Sequence, residues 1–516
     1  MYGSIQLSMY VRSPENSGIR TKYLFTELIQ GCMQMAAEGR DRIIQQRMEK
    51  RRRDVLIIKT LIAFLLLLII FLGIILIKVG IVDGELQWVL GQRDSGSNRT
   101  VSGEEEAVTE SMTESGPGKE EKLEQAARMA QQYDYDGAIA LLQADPDYYA
   151  DSRLQNAAAE YATLREACVV YPADEVPHVF FHTLIKDPVK AFDGDEKEAG
   201  YNQFMTTIDE FNGIIQQMYD RGYVMVSLHD MCTVNEDGTV TKGEIRLPTG
   251  KIPVVISQDD VSYYHYMDGD GFAEKLIVDE NGEVKNTYIE EDGSVSVGDY
   301  DMVPLIDTFV KQHPDFAYHG HKGIIALTGY EGVLGYRTDE VYKTRQADRL
   351  TQYQIAFLDA HPDFDFDAEV AEARKVADAM KENGWEFASH TWGHINPVAY
   401  GYDATVRDTE RYKAWMEPVI GYTDVLIFAF GADINDWTPY TEDNSFFTYL
   451  KGQGFNIFCN VDGSKKYWVQ FGNNYMRSGR RNLDGYTMYY NPDGCSDLFN
   501  VQDVWDDTRT TPVPAL

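Results

Sequence analysis

Basic charge is in short supply in this chain. It carries 47 Lys and Arg against 82 Asp and Glu, a formal net charge of -35. Phosphate backbones demand clustered cations, so the deficit argues against a nucleic-acid partner, while a sugar substrate or a bound cation stays open. Cysteine is scarce as well. Cys32, Cys168, Cys232, Cys459 and Cys495 fit neither a CxxC nor a zinc-finger spacing. Histidine occurs 10 times in 516 residues, so a pair four apart in "SHTWGH", His390 and His394, stands out. The zinc-protease motif HExxH is absent there, because Thr391 occupies the place of its Glu.

Long apolar runs are rare too, and the exception is informative. "TLIAFLLLLIIFLGIILI", Thr60 to Ile77, holds no charge and, with Val55 to Ile58, is long enough for a bilayer. It starts too deep for a cleaved secretory signal. Arg47 to Asp54 and Lys59 precede it, whereas Asp83, Glu85 and Glu104 to Glu106 follow. The positive-inside rule then predicts a single-pass signal anchor in the cell membrane, with a cytoplasmic N-terminus and an extracytoplasmic remainder. The expected order is a cytoplasmic segment 1–54, a transmembrane helix 55–81 and a flexible Ser/Gly/Glu/Thr linker 82–120. Outside the membrane disulfides persist, and the four cysteines there permit three pairings.

From 121 to 170 the apolar spacing becomes helical, with "DYDG" as a turn between two segments and a third after Pro146. This predicts a short all-α, TPR-like neck, which packs on the next domain or takes a protein partner. From 171 to 516 strand-like and helix-like segments alternate, which implies a parallel sheet covered by helices. Residues 264–300 interrupt that rhythm with DG and NG turns, the pattern of a hairpin insertion. "DGDG" lacks the closing Glu of an EF-hand, so it is a poor calcium loop.

Function in parallel α/β proteins sits at the carboxyl ends of strands. "SQDD" ends one apolar strand and "SHTWGH" another. Two imidazoles plus a carboxylate make a three-ligand site with open positions, the pattern of catalytic divalent ions. Asp259 and Asp260 are the carboxylate candidates, and a bend at the strand end is needed to aim both inward.

"ISQDDVSYY" and "SHTWGH", in this order, resemble the T-F-D-D and H-[ST]-x-x-H motifs of the polysaccharide deacetylase (NodB homology) family. "FFHTL" resembles a motif of its exopolysaccharide-deacetylase branch. The resemblance spans about Pro177 to Met488. It implies a distorted (β/α) barrel and a hydrolase that removes N-acetyl groups from a cell-wall or secreted polysaccharide. It further implies Asp259 as catalytic base, Asp260, His390 and His394 as ligands of a divalent metal, and His182 as general acid. The metal would be zinc first, with cobalt, nickel, iron or manganese as alternatives. The family's R-x-P-[FY]-G motif is altered here to "FAFGADI", which keeps Gly431 but lacks the Arg that steadies the base. Arg481 in "RSGRRNLDG" is the expected substitute. Trp392 and Trp437, with Gly431, are candidate sugar contacts. Two other readings stay open: a glycan-binding pseudoenzyme, from these departures, and a scaffold, from the helical neck.

Overall fold

Strands buried on both faces read as continuous apolar runs, and Val254 to Ile256, Ile324 to Leu327 and Val425 to Ile427 do so. The computed structural model describes residues 118–516. The segment 1–54, the transmembrane run 55–81, Asn98 and most of the linker lie outside the described residues. Among the described residues no helix is long and apolar enough to cross a membrane.

Seven parallel strands close into a barrel: β1 (His178–Phe181), β2 (Ile252–Asp259), β3 (Ile324–Leu327), β4 (Glu386–Ser389), β5 (Val425–Ile427), β6 (Ile457–Val461) and β7 (Met476–Asn482). Each pairs with the next in chain order, and β7 returns to β1 through Arg480 opposite His178. Closure removes the open edges that a flat sheet would leave. Alternation then sorts the side chains. On β2, Val254 and Ile256 join the core under the helices, whereas Val255 faces the barrel interior with Ile324, Ala388, Ile427 and Cys459.

The helices cover the outside. Ile208–Asp220 starts on a Thr207/Glu210 capping box and buries Phe211, Ile214, Ile215 and Met218 along one face. Each such side chain contributes at most about 1.5–3 kcal/mol. Phe366–Glu382 is capped by Asp365 and turns Ala373, Val376, Ala377 and Met380 inward at the same spacing. The interrupting segment forms a three-stranded antiparallel sheet, Lys275–Val278, Val284–Ile289 and Val295–Gly298.

The neck is three helices, Lys119–Gln131, Tyr135–Gln143 and Ser152–Ala167, the first beginning inside the stretch read as linker. Its Ala126, Ala138, Leu142 and Leu154 share one hydrophobic cluster with interior barrel residues such as Val255 and Ile457. The Gln132 carbonyl accepts from His319 N–H at 2.8 Å, and Tyr133 Oη donates to the Asp315 carbonyl at 2.9 Å. The neck therefore plugs the amino end of the barrel. Cys168, Cys232, Cys459 and Cys495 are all free thiols.

Candidate functional site

The opposite, carboxyl end of the barrel gathers the polar residues. Asp259 is the last residue of β2, on the same inward parity as Val255 and Ser257, and is 2 % exposed. Asp260 follows in a left-handed conformation, φ 62°. This is the bend that two adjacent carboxylates need: the strand stops, and Asp260 N–H turns to the Ala326 carbonyl at 3.1 Å. Left-handed backbone costs a non-glycine residue about 1 kcal/mol or more. It recurs here at Tyr263, Thr391, His394 and Phe430, so the rim of the barrel is held in strained shape by its surroundings.

His390 follows β4, and its Nδ1–H donates to the Ile427 carbonyl at 2.9 Å. That bond fixes the tautomer and leaves the lone pair on Nε2. His394 Nε2 lies 3.6 Å from Asp260 Oδ2, and His390 Nε2 lies 3.8 Å from Asp259 Oδ2. Both are too long for hydrogen bonds. One donor atom each from Asp260, His390 and His394 lies within 4.8 Å of the others. Ligands about 2.1 Å from one tetrahedral ion stand roughly 3.4 Å apart, so the set fits a divalent cation after a small contraction. Burial, with His390 and His182 nearby, holds the His394 pKa below the ordinary histidine value in spite of Asp260. The ring is therefore neutral near pH 7, as a ligand must be. Tyr264 Oη donates to Asp260 Oδ1 at 2.8 Å and is stacked against Tyr330, with ring centroids 4.6 Å apart. It orients the carboxylate, leaving Oδ2 toward His394.

The partner of Asp259 is Arg480, not Arg481. The guanidinium donates from Nη1 to Oδ1 at 2.7 Å and from Nη2 to Oδ2 at 2.9 Å, a bidentate pair with both side chains buried. Burial alone would raise the Asp259 pKa, but Arg480, His390 and His182 outweigh it and hold the carboxyl well below the usual range. Arg481 points the other way, toward the helix layer, and pairs with Asp497 at 3.0 and 3.1 Å. One step along β7 reverses the face, and this parity corrects the expectation for Arg481. Beneath the pair, buried His178 bridges Ser257 and Ser478 at 2.9 and 3.3 Å. Burial and Arg480 lower its pKa strongly, so it is a neutral spacer.

His182 stands just after β1 at the same mouth. Its Nδ1–H donates to the Phe204 carbonyl at 3.0 Å, and among the described residues its Nε2 has no hydrogen-bond partner. It is half-buried and close enough to bear on the charges of Asp259 and His394.

Trp392 is packed into the core rather than exposed at the barrel mouth. It is 8 % exposed, lies in the main core, and is covered by Arg411, whose guanidinium carbon sits 3.2 Å from the ring centroid. Its carbonyl accepts from Gly329 and Tyr330 N–H at 2.8 and 3.1 Å. It anchors the histidine loop from below. Asp408 completes the anchor, accepting Trp392 N–H at 2.7 Å and Gly393 N–H at 2.8 Å. Gly431 is structural: at φ 63° an added Cβ would meet Val461 Cβ at 2.6 Å. Trp437 is exposed at a neighbouring cavity. Phe430, 70 % exposed, sets its ring edge-on to His394 at 4.3 Å. Sequence reasoning passed over Phe430, although it occupies the aromatic place of the altered motif. Asp408 and Arg411 carry no motif signal, since each reaches the site only through folding.

No family model matches the chain, and no curated protein matches it. A solved structure titled "Streptococcus pyogenes deacetylase PplD in complex with acetate" is similar over 61% of this chain and 92% of its own, at 11% identity and a TM-score of 0.29. A likeness that weak adds nothing to the geometry above.

Proposed function

We propose that this protein is a membrane-anchored, extracytoplasmic, metal-dependent deacetylase of an N-acetylated polysaccharide. The observation that carries the reading is the juxtaposition of the Asp260/His390/His394 donor set with the bidentate Asp259–Arg480 pair at the barrel mouth. The motif resemblance supports the substrate class, and the charge pattern around the apolar run supports the anchor.

Asp260, His390 and His394 would hold the ion. When bound, a divalent cation there supplies Lewis-acid polarisation of an amide carbonyl. Asp259, kept ionised by Arg480, takes a proton from the water that attacks the carbonyl carbon. As the C–N bond breaks, His182 gives the proton on Nε2 to the departing sugar nitrogen, and acetate leaves. With Nδ1–H tied to the Phe204 carbonyl, the ring presents Nε2 to the departing nitrogen. Phe430 shields one side of His394 from water.

The test is metal content and acetate release by the purified full chain on N-acetylglucosamine oligomers. The parent is expected to bind one equivalent of ion. Asp260→Ala is expected to lose it, and Asp259→Asn to keep it while losing about 10²–10⁴ in rate. A parent that binds no ion overturns the reading. Glycan binding without acetate release at saturating metal would favour the pseudoenzyme instead.

A further inference from the structure

His182 is gripped from behind by buried residues that no step above uses. Gln258 lies on β2 with the parity opposite to Asp259, and its side chain is fully buried. Its Nε2 donates to the His182 carbonyl at 3.1 Å and to Asp301 Oδ1 at 2.6 Å. Asp301 Oδ1 also accepts Leu184 N–H at 3.1 Å. One carboxylate oxygen therefore holds the turn that leaves His182 at two points, one directly and one through Gln258.

Asp301 is a costly residue to place there. It is 1 % exposed, and no Lys, Arg or His among the described residues pairs with it. Burial raises its pKa above the usual carboxylate value, against the pull of its hydrogen bonds. It caps the helix Met302–Gln312 through Met302 N–H at 2.8 Å. Ser or Asn caps a helix as well without a charge. Burying a carboxylate without a cation is unfavourable, and capping alone does not account for it. The other bonds use both arms of the carboxylate: Oδ1 serves Gln258 and Leu184, while Oδ2 accepts Tyr263 Oη at 2.6 Å. Tyr263 and Asp301 flank the 264–300 insertion, and their bond closes its stem. Asn286, fully buried on the middle strand of the insertion, donates to Tyr263 Oη at 3.0 Å. A continuous buried chain of hydrogen bonds thus runs from the insertion to the backbone of His182.

We propose that Asp301 is a positioning residue for His182, acting through Gln258 and the Leu184 amide, and that the insertion braces it through Tyr263 and Asn286. The proposal rests on the deacetylase reading, since that reading makes His182 the proton donor. A general acid works only within hydrogen-bond reach of the leaving atom, so a small drift of this turn costs rate. Asp259, Asp260 and His390 are tied elsewhere, to Arg480, Tyr264 and the Ile427 carbonyl.

The experiment compares two acetyl donors that differ in their need for an acid. The N-acetylglucosamine tetramer loses an amine that must be protonated, whereas para-nitrophenyl acetate releases a phenolate that needs no proton. Both are given to the full chain, to Asp301→Ser, which keeps a helix cap, and to Gln258→Met, which cuts only the link to His182. Each variant is expected to lose about tenfold or more in kcat on the tetramer with KM near that of the parent, and no more than about twofold on the ester. Equal losses on both donors, a loss confined to KM, or no loss overturn the proposal. Melting temperature and metal content are measured in parallel, and Gln258→Met decides if Asp301→Ser does not fold. His182→Gln tests the underlying reading. If it treats both donors alike, or the parent releases no acetate from the tetramer, that reading fails separately. Positioning is then judged by magnetic resonance of the full chain with ring-labelled histidine. A shifted His182 signal in Gln258→Met sustains it, and an unshifted one overturns it.

Discussion

Strand β4 has a histidine–carboxylate cluster at each end, and the two behave oppositely. At its start, Glu386 and Asp424 grip His229 at 3.2 and 2.9 Å, while Asp230 holds His321 at 2.8 Å. Burial works against the charge on His229, but the two carboxylate hydrogen bonds prevail and push its pKa up to about 10. At the other end, the nearest carboxylate oxygens stand 3.6 and 3.8 Å from His394 and His390, and the His394 pKa falls. The residue types are the same. Where each acid closes onto a histidine, the result is an ion pair, and on His229 both ring nitrogens are taken up. Where Arg480 and Tyr264 draw the acids aside, the imidazole lone pairs converge on a shared point. A cluster of histidines and acids can offer its donor atoms to an ion only when other groups hold its members apart.

That contrast can be broken, and the largest effect belongs to Arg480. Arg480→Met leaves a buried carboxylate unpaired, so unfolding stability should fall by about 3–5 kcal/mol and acetate release should collapse. Arg481→Met should leave the acetate rate near that of the parent. Denaturant titrations and rates of the two variants side by side check this, and equal loss of activity in both would contradict the assignment of β7 parity.

A middle-sized effect is expected at Asp408. Asp408→Ala frees the Trp392 and Gly393 amides and loosens the loop that carries both histidines. Metal affinity should weaken about 10–100-fold. Competition titration against a coloured chelator measures it, and unaltered affinity would show that the loop holds its shape without the anchor.

The smallest effect is a difference in pH slope between the two ends. The folded pKa of His229 lies above its unfolded value near 6.5, so its contribution to stability is complete below that value. It is lost as pH rises through about 10. The imidazole is 43% exposed, so solvent screens the gain. For His394 the folded pKa is lowered, so its contribution is present above about 6.5 and is lost as pH falls. Denaturation of His229→Gln from pH 6 to pH 10 should show a deficit that shrinks with rising pH. A deficit constant across that range would mean that His229 is not charged in the folded protein.

Much of the site was legible in one dimension. Asp259, Asp260, His390 and His394 end apolar strands, and strand ends of a parallel barrel meet at one mouth, so their convergence follows from local pattern. Trp392 was misread because its role depends on Arg411 and Met416, which lie beyond its own loop. Arg480 was missed by one residue, the margin within which strand parity changes everything.

Sequence alone determined the alternation of strands and helices, the acidic character and the side-chain types at the barrel mouth, because periodicity and side-chain chemistry are local properties. Tertiary structure decided which arginine pairs with Asp259, which tryptophan stays in solvent, and which histidine cluster keeps its lone pairs free. Those outcomes turn on shifts of an ångström or on the choice of strand face. Both are fixed only when the barrel closes and buried charges must find partners or pay for their desolvation.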